Sequence, residues 1–139
     1  MNLPYAEDIG HYWKTSQRTP DEWMGQCRKL IEEIGGKVLA EGFGAAEGKA
    51  AFMFCFSLDG DEFKVVWPVL PSCTGDVKAA RRQAATLLYH DIKAKAMTAS
   101  VLGNKVAFFS YLMLPDGRAA ASLAVPELSD VFPVLLRRG

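Results

Sequence analysis

The chain has 139 residues and a mass of 15.2 kDa, is half hydrophobic, and carries 16 basic and 16 acidic side chains that sum to zero. A chain of this length buries about two thirds of its unfolded surface, so it needs no disulfide or metal staple to fold. The apolar content excludes disorder, and the neutral sum excludes a generally basic polyanion binder or a polybasic membrane anchor.

No apolar run approaches the ~18 to 20 residues of a membrane span; the longest are broken by Asp59, Lys64 and Asp116. Met1 to Asp8 offers neither a basic nor an apolar leader region, so no secretory signal is expected. Cys27, Cys55 and Cys73 are odd in number, far apart and without C-x-x-C spacing, and His11 and His90 are the only histidines. These features predict no disulfide framework, no metal site, no cofactor, and a cytoplasmic protein with reduced thiols.

One domain is expected over residues 1–139, with an arm at 1–19 and a tail at 126–139. The arm holds Tyr5, His11, Tyr12 and Trp13 among polar neighbours without a clear period. Thr19-Pro20-Asp21-Glu22 then places a hydroxyl at the N-cap, proline at N1 and a carboxylate at N3. That combination satisfies orphan backbone donors and starts a helix. Trp23, Met24, Cys27, Leu30, Ile31 and Ile34 follow at helical spacing, and Gly35-Gly36 ends the run.

Lys37 to Phe43 reads as a first strand and Gly44 to Gly48 as its turn. Ala50 to Leu58, Asp59-Gly60 and Asp61 to Val69 form a hairpin pattern, because Asp-Gly supplies the positive φ that a two-residue turn requires. In Phe52-Met53-Phe54-Cys55-Phe56 both alternating faces are apolar, which predicts a central strand covered on both sides. Pro68 and Pro71 stop the pairing. From Asp76 to about Leu102 the chain reads as one helix of roughly 40 Å, ending at Gly103-Asn104. Ala80, Ala84, Leu87, Leu88, Ile92, Ala99 and Leu102 share its apolar arc, while Lys78, Arg82, Tyr89 and Lys93 share a second arc. Lys105 to Leu114, the turn Pro115-Asp116-Gly117, and Arg118 to Val125 predict a second hairpin. In the tail, Val131 to Leu136 is apolar enough to pack on something.

The expected fold is therefore α+β in the order α-β-β-β-α-β-β. An antiparallel sheet of about five strands, built from two Asp-Gly hairpins, packs against a short and a long helix. The similarity of Ala51–Gly60 to Ala107–Gly117 is either a feature any two aromatic hairpins share or a pseudo-repeat around the long helix.

Catalytic constellations are sparse. No serine or cysteine stands in an activated-nucleophile turn, and the glycine pairs lack the spacing of a phosphate loop. Glu32 and Glu33 point apart on successive helix positions. Asp91 lies inside the apolar arc with Lys95 four residues on, which reads as a partly buried ion pair or as a polar site or oligomer contact. Residues 76 to 102 hold five basic and two acidic side chains, a net +3 that the remaining residues balance at −3. Lys78, Arg81, Arg82 and Lys93, with Tyr89 among them, could follow a phosphate backbone while the ring stacks on a base. The arm aromatics Tyr5, Tyr12 and Trp13 could also stack, or could dock on their own domain.

The run from Asp76 through Arg81-Arg82-Gln83-Ala84, Leu87-Leu88 and Ile92-Lys93-Ala94-Lys95 into Phe108 to Arg118 resembles a segment of small uncharacterised phage and prophage proteins. The hairpin around Asp59-Gly60, followed by an alanine-rich basic helix, is similar to the strand-strand-helix core of single-strand annealing recombinases. The order hairpin, helix, hairpin resembles the Whirly-type fold. Those families are multimeric and bind DNA through basic grooves. The resemblances therefore imply a non-catalytic, phage-type accessory protein that binds single-stranded nucleic acid through Lys78, Arg81, Arg82, Tyr89 and Lys93 as a homo-oligomer. The alternative is a homo-oligomeric protein-interaction module that uses the same helix edge or the apolar tail.

Overall fold

In a computed structural model that describes residues 3–46 and 48–123, the Thr19 signal produces a complete capping box. The Thr19 hydroxyl accepts from the Glu22 N–H at 3.2 Å, and the Glu22 carboxylate accepts from the Thr19 N–H at 3.5 Å. The described elements are α1 (Ala6–Ile9), α2 (Pro20–Glu33), β1 (Lys37–Ala46), β2 (Lys49–Leu58), β3 (Asp61–Val69), α3 (Val77–Leu102) and α4 (Asn104–Ala107), followed by two 3-10 turns at Phe109–Tyr111 and Ala120–Leu123.

The strands form one antiparallel sheet in the order β1-β2-β3. Asp59 and Gly60 both take positive φ, 54° and 83°, closing the hairpin with Leu58 opposite Asp61. Gly36 lets the end of α2 come close to β2, since a Cβ there would lie 2.7 Å from Ile31 Cγ2 and 3.0 Å from the Ser57 carbonyl oxygen.

β2, the central strand, is buried on both faces, as its unbroken apolar run requires. Phe52, Phe54 and Phe56 with Phe63 and Val65 meet Cys27 and Ile31 of α2 and Ala84, Leu88 and Ile92 of α3. Phe56 stacks on Phe63 at 5.3 Å and meets Phe108 edge-on at 5.4 Å. Each such ring contributes about 1.5–3 kcal/mol by leaving water. Ala51, Met53, Cys55 and Val66 occupy the opposite face with Leu39 and Met113 packed on them. Lys64 is fully buried and its ammonium donates to the Gly117 carbonyl.

The five-strand expectation is wrong: the described sheet has three strands, and the second hairpin does not form. Its turn exists, with the Leu114 N–H donating to the Arg118 carbonyl at 2.7 Å and the Gly117 N–H to the Leu114 carbonyl at 2.9 Å. Its arms do not. Residues 105–114 contribute a helical turn, a 3-10 turn and two isolated bridges, Phe63 with Leu112 and Met113 with Ala119. The reason lies in which side chains are buried. Ala107, Phe108 and Tyr111 go inside while Phe109 stays 59% exposed, a helical spacing that a strand's alternation cannot produce. The tail at 126–139, with its Val131 to Leu136 run, lies outside the described residues.

α3 starts at Asp76, whose carboxylate accepts from the Ala79 N–H at 3.1 Å. It packs on the core from Ala79 to Ile92 and then runs past it, leaving Met97, Val101 and Leu102 at least 60% exposed. The apolar arc therefore ends in contact before reaching Leu102. No helix among the described residues is long and apolar enough to cross a membrane.

Candidate functional site

The arm is docked. The buried Gln83 amide donates to the Ala6 carbonyl at 2.9 Å and the His11 carbonyl at 3.1 Å, and the Ala6 N–H donates to the Pro71 carbonyl at 2.8 Å. The Glu7 carboxylate accepts from the Ser72 hydroxyl, the Cys73 and Thr74 N–H groups and the Thr74 hydroxyl at 2.7 to 3.2 Å. Desolvation works against the charged carboxylate, but these donors outweigh it and pull its pKa down from 4.5 to about 2. Further along, Trp23 Nε1 donates to the Ser16 hydroxyl at 2.8 Å, and the Thr86 hydroxyl donates to it at 3.1 Å.

This docking creates a polar cleft of about 330 Å³ at the amino-terminal end of α3, lined by Tyr12, Lys14, Ser16, Asp76, Lys78, Ala79 and Arg82. Tyr12 and Lys14 hold left-handed backbone, φ 59° and 57°, which costs about 1–3 kcal/mol each and persists only where surrounding contacts enforce it. Lys14 pairs with Asp76 at 3.2 Å. Asp76 has a lowered pKa because of the Ala79 N–H first and Lys14 second. Lys78 and Arg82 are exposed, one turn apart, and form no ion pair among the described residues. The amino-terminal end of α3 is capped by the Asp76 carboxylate, and Lys78 and Arg82 follow it within the first two turns.

The other residues of the expected basic edge separate. Arg81 turns toward the sheet and lies 4.4 Å over the Phe43 ring, its Nε buried without a hydrogen bond. Tyr89 packs at 4.9 Å against Trp23 of α2, so its ring is part of the helix interface. Lys93 is exposed three turns beyond Arg82. It lies beside His90, whose pKa is lowered by burial and then by the Lys93 charge. His90 in turn stacks flat on Tyr12 at 4.8 Å. Sequence reading thus placed Lys78 and Arg82 together and missed Lys14. Tyr12 entered it only as one of several arm aromatics. The pointer to both was the arm's uneven density of aromatic and basic residues, which has no helical or strand period.

A second constellation lies on the same helix. Lys95 contacts both Asp91 oxygens, at 3.1 and 3.0 Å, and the Tyr111 hydroxyl donates to the same carboxylate. Burial, then the Asp91 charge and hydrogen bond, raise the Tyr111 pKa well above its ordinary value of 10.0. The expected i,i+4 pair forms, and Tyr111 joins it from the 3-10 turn at Phe109–Tyr111, where the sequence predicts a strand. The three side chains form part of the wall of a cavity of about 440 Å³ beside β3. Cys27 and Cys55 are buried and Cys73 is exposed; burial pushes the Cys27 pKa up to about 12 with help from Glu41. Among the described residues no group of three or more His, Cys, Asp or Glu is arranged to hold a metal.

Searched against protein-family models, curated proteins and solved structures, the chain matches none of them.

Proposed function

We propose that the protein is a non-catalytic, cytoplasmic binder of single-stranded nucleic acid whose site is the cleft of Tyr12, Lys14, Lys78 and Arg82. The observation that carries this reading is the convergence of three cations and an aromatic ring in one cleft. Lys78 and Arg82 form no ion pair among the described residues and release counterions when they meet phosphates, and Lys14 is held beside them by Asp76. The Tyr12 ring, stacked on His90 through one face, can receive a base on the other. Arg81 and Tyr89, engaged elsewhere, have no role in it, and Lys93 extends the track along the helix.

Anisotropy of a fluorescent oligonucleotide across a salt series tests the reading. Binding should weaken linearly on a log-log plot, and Lys78→Ala with Arg82→Ala should lower the slope by about 1.4, or ~0.7 per lost phosphate contact on a single strand. Tyr12→Ala should weaken binding by about 1–3 kcal/mol, the size of one base stack, while Tyr89→Ala leaves affinity unchanged. No binding at low salt, or an unchanged slope in the double variant, would overturn it.

A self-association reading has one observation in its favour. Met97, Val101, Leu102, Val106 and Phe109 are each at least 59% exposed over the projecting end of α3 and the segment after it. Sedimentation of the protein and of Val101→Glu tests this: a dimer dissociated by the charge supports it, and a monomer at high concentration ends it.

A further inference from the structure

β3 is an outer strand, and past its bridge to Leu112 its edge opens onto the cavity of about 440 Å³. The wall beside the strand is mostly apolar, with Trp67, Leu70, Leu87 and Ile9 among its members. The cavity's volume falls within the roughly 300–1,000 Å³ of small-molecule sites, which pair apolar walls with a few polar groups that fix orientation.

Those polar groups carry a definite sign. Asp91 is fully engaged, since it accepts from Lys95 through both oxygens and from the Tyr111 hydroxyl. It offers little to a cationic guest. Lys95 has three N–H donors and directs at most two at Asp91, and its ammonium also lies 5.0 Å from the centre of the Tyr111 ring, so a guest would share the third with that ring. Arg118, also in the lining, uses Nε on Asp116 at 2.7 Å, and its guanidinium has two further amino groups. Lys64 in the lining donates to the Gly117 carbonyl, and beside the neutral Ser110 hydroxyl the charged donors of the wall are the Lys95 ammonium and the fork-shaped Arg118 guanidinium, suited to a carboxylate.

We propose that this cavity binds a small amphipathic monocarboxylate, with its apolar body against Trp67, Leu70 and Leu87 and its carboxylate between Lys95 and Arg118. The site is separate from the nucleic-acid cleft and does not depend on it. The Asp91–Lys95–Tyr111 cluster then has a positioning role: Asp91 holds the Lys95 ammonium at the wall, and Tyr111 holds Asp91.

The test compares octanoate, octanol and octylammonium below their aggregation concentrations, by calorimetry and thermal shift on the full chain. Octanoate should bind and raise the melting temperature, with octanol weaker and octylammonium weakest. Arg118→Met should reduce octanoate affinity about tenfold and leave octanol unchanged, the signature of one lost charged hydrogen bond. Leu87→Trp, which fills the cavity from a half-buried position, should abolish binding of both while circular dichroism stays native. Equal binding of all three probes, no octanoate binding at millimolar concentration, or unaltered octanoate binding in folded Leu87→Trp would overturn the proposal. If Leu87→Trp fails to fold, Arg118→Met still decides, because an unchanged affinity in that surface variant contradicts the carboxylate site.

Discussion

At the amino-terminal end of α3, Lys78 and Arg82 are exposed and form no ion pair among the described residues; farther along the helix, Asp91 and Lys95 are satisfied by one another and by Tyr111 from the following segment, beside an apolar cavity. Both groups are ionisable clusters built on α3, the second completed by Tyr111 from the 3-10 turn that follows, yet their surroundings give them different physics. The exposed cations are screened by salt and contribute almost nothing to stability, which leaves their charge available to a partner. The half-buried cluster is desolvated and internally paired, so its removal is felt by the fold and salt has little hold on it.

Asp91→Ala breaks that contrast most directly. It leaves a part-buried ammonium and a buried phenol without their acceptor, and should cost about 2 kcal/mol in urea unfolding. That lies below the range for fully buried pairs because the Lys95 and Asp91 side chains keep 22% and 29% of their exposure. The loss should be nearly the same at low and high salt, with the sedimenting mass unchanged. A loss that vanishes in salt would place the cluster with the surface pairs.

Gln83→Ala comes next, at about 1–2 kcal/mol, since it strips two arm carbonyls of their buried donor. It sharpens the comparison because it touches no cation and yet should weaken oligonucleotide binding, by loosening the arm that brings Tyr12 and Lys14 to the cleft. Retained binding with reduced stability would detach the arm from the site.

A smaller effect is expected from acid. The Glu7 pKa is depressed from 4.5 to about 2, so its contribution is fully present above pH 4.5 and is lost as pH falls from there toward 2. Denaturation midpoints of Glu7→Gln should show a shallower decline across that window than those of the parent chain. Lys78→Ala with Arg82→Ala should do least to the fold, within about 0.5 kcal/mol at any salt. Cations that act only outward predict that combination of a native unfolding midpoint with impaired oligonucleotide binding.

Much of this was legible from local chemistry. The Thr19 cap, the Asp59-Gly60 turn and the alanine-rich run after Asp76 each specify an element through short-range steric and hydrogen-bond preferences, and all three elements form. The two-sided apolar run of β2 likewise foretold a sheet covered on both faces. The second Asp-Gly turn shows the limit of such signals. Pro115-Asp116-Gly117 makes its turn, but a turn does not compel its flanks to pair, and Phe108 and Tyr111 gain more by entering the main core three residues apart. Asp91 with Lys95 was readable from i,i+4 spacing, whereas Tyr111 arrives from 20 residues away and only tertiary packing brings it there. Arg81 belongs to the helix's excess of basic side chains, yet 100° of helical rotation separates it from Arg82 and sends it to the Phe43 ring. The cleft depended on where the arm docks, and no periodicity encodes that.

The arm's attachment also bears on the order in which the molecule assembles. Its hydrogen bonds from Gln83 and to Glu7 join residues 65 to 77 positions apart, whereas the β2–β3 hairpin closes over two residues. Closing so long a loop loses more chain entropy, and it gains nothing until α3 and the turn at Ser72 to Thr74 are already in place. The arm therefore joins last on folding and leaves first. It should open as a unit of its own, and native-state hydrogen exchange at Ala6 is expected to be faster than at Phe54 or Leu88.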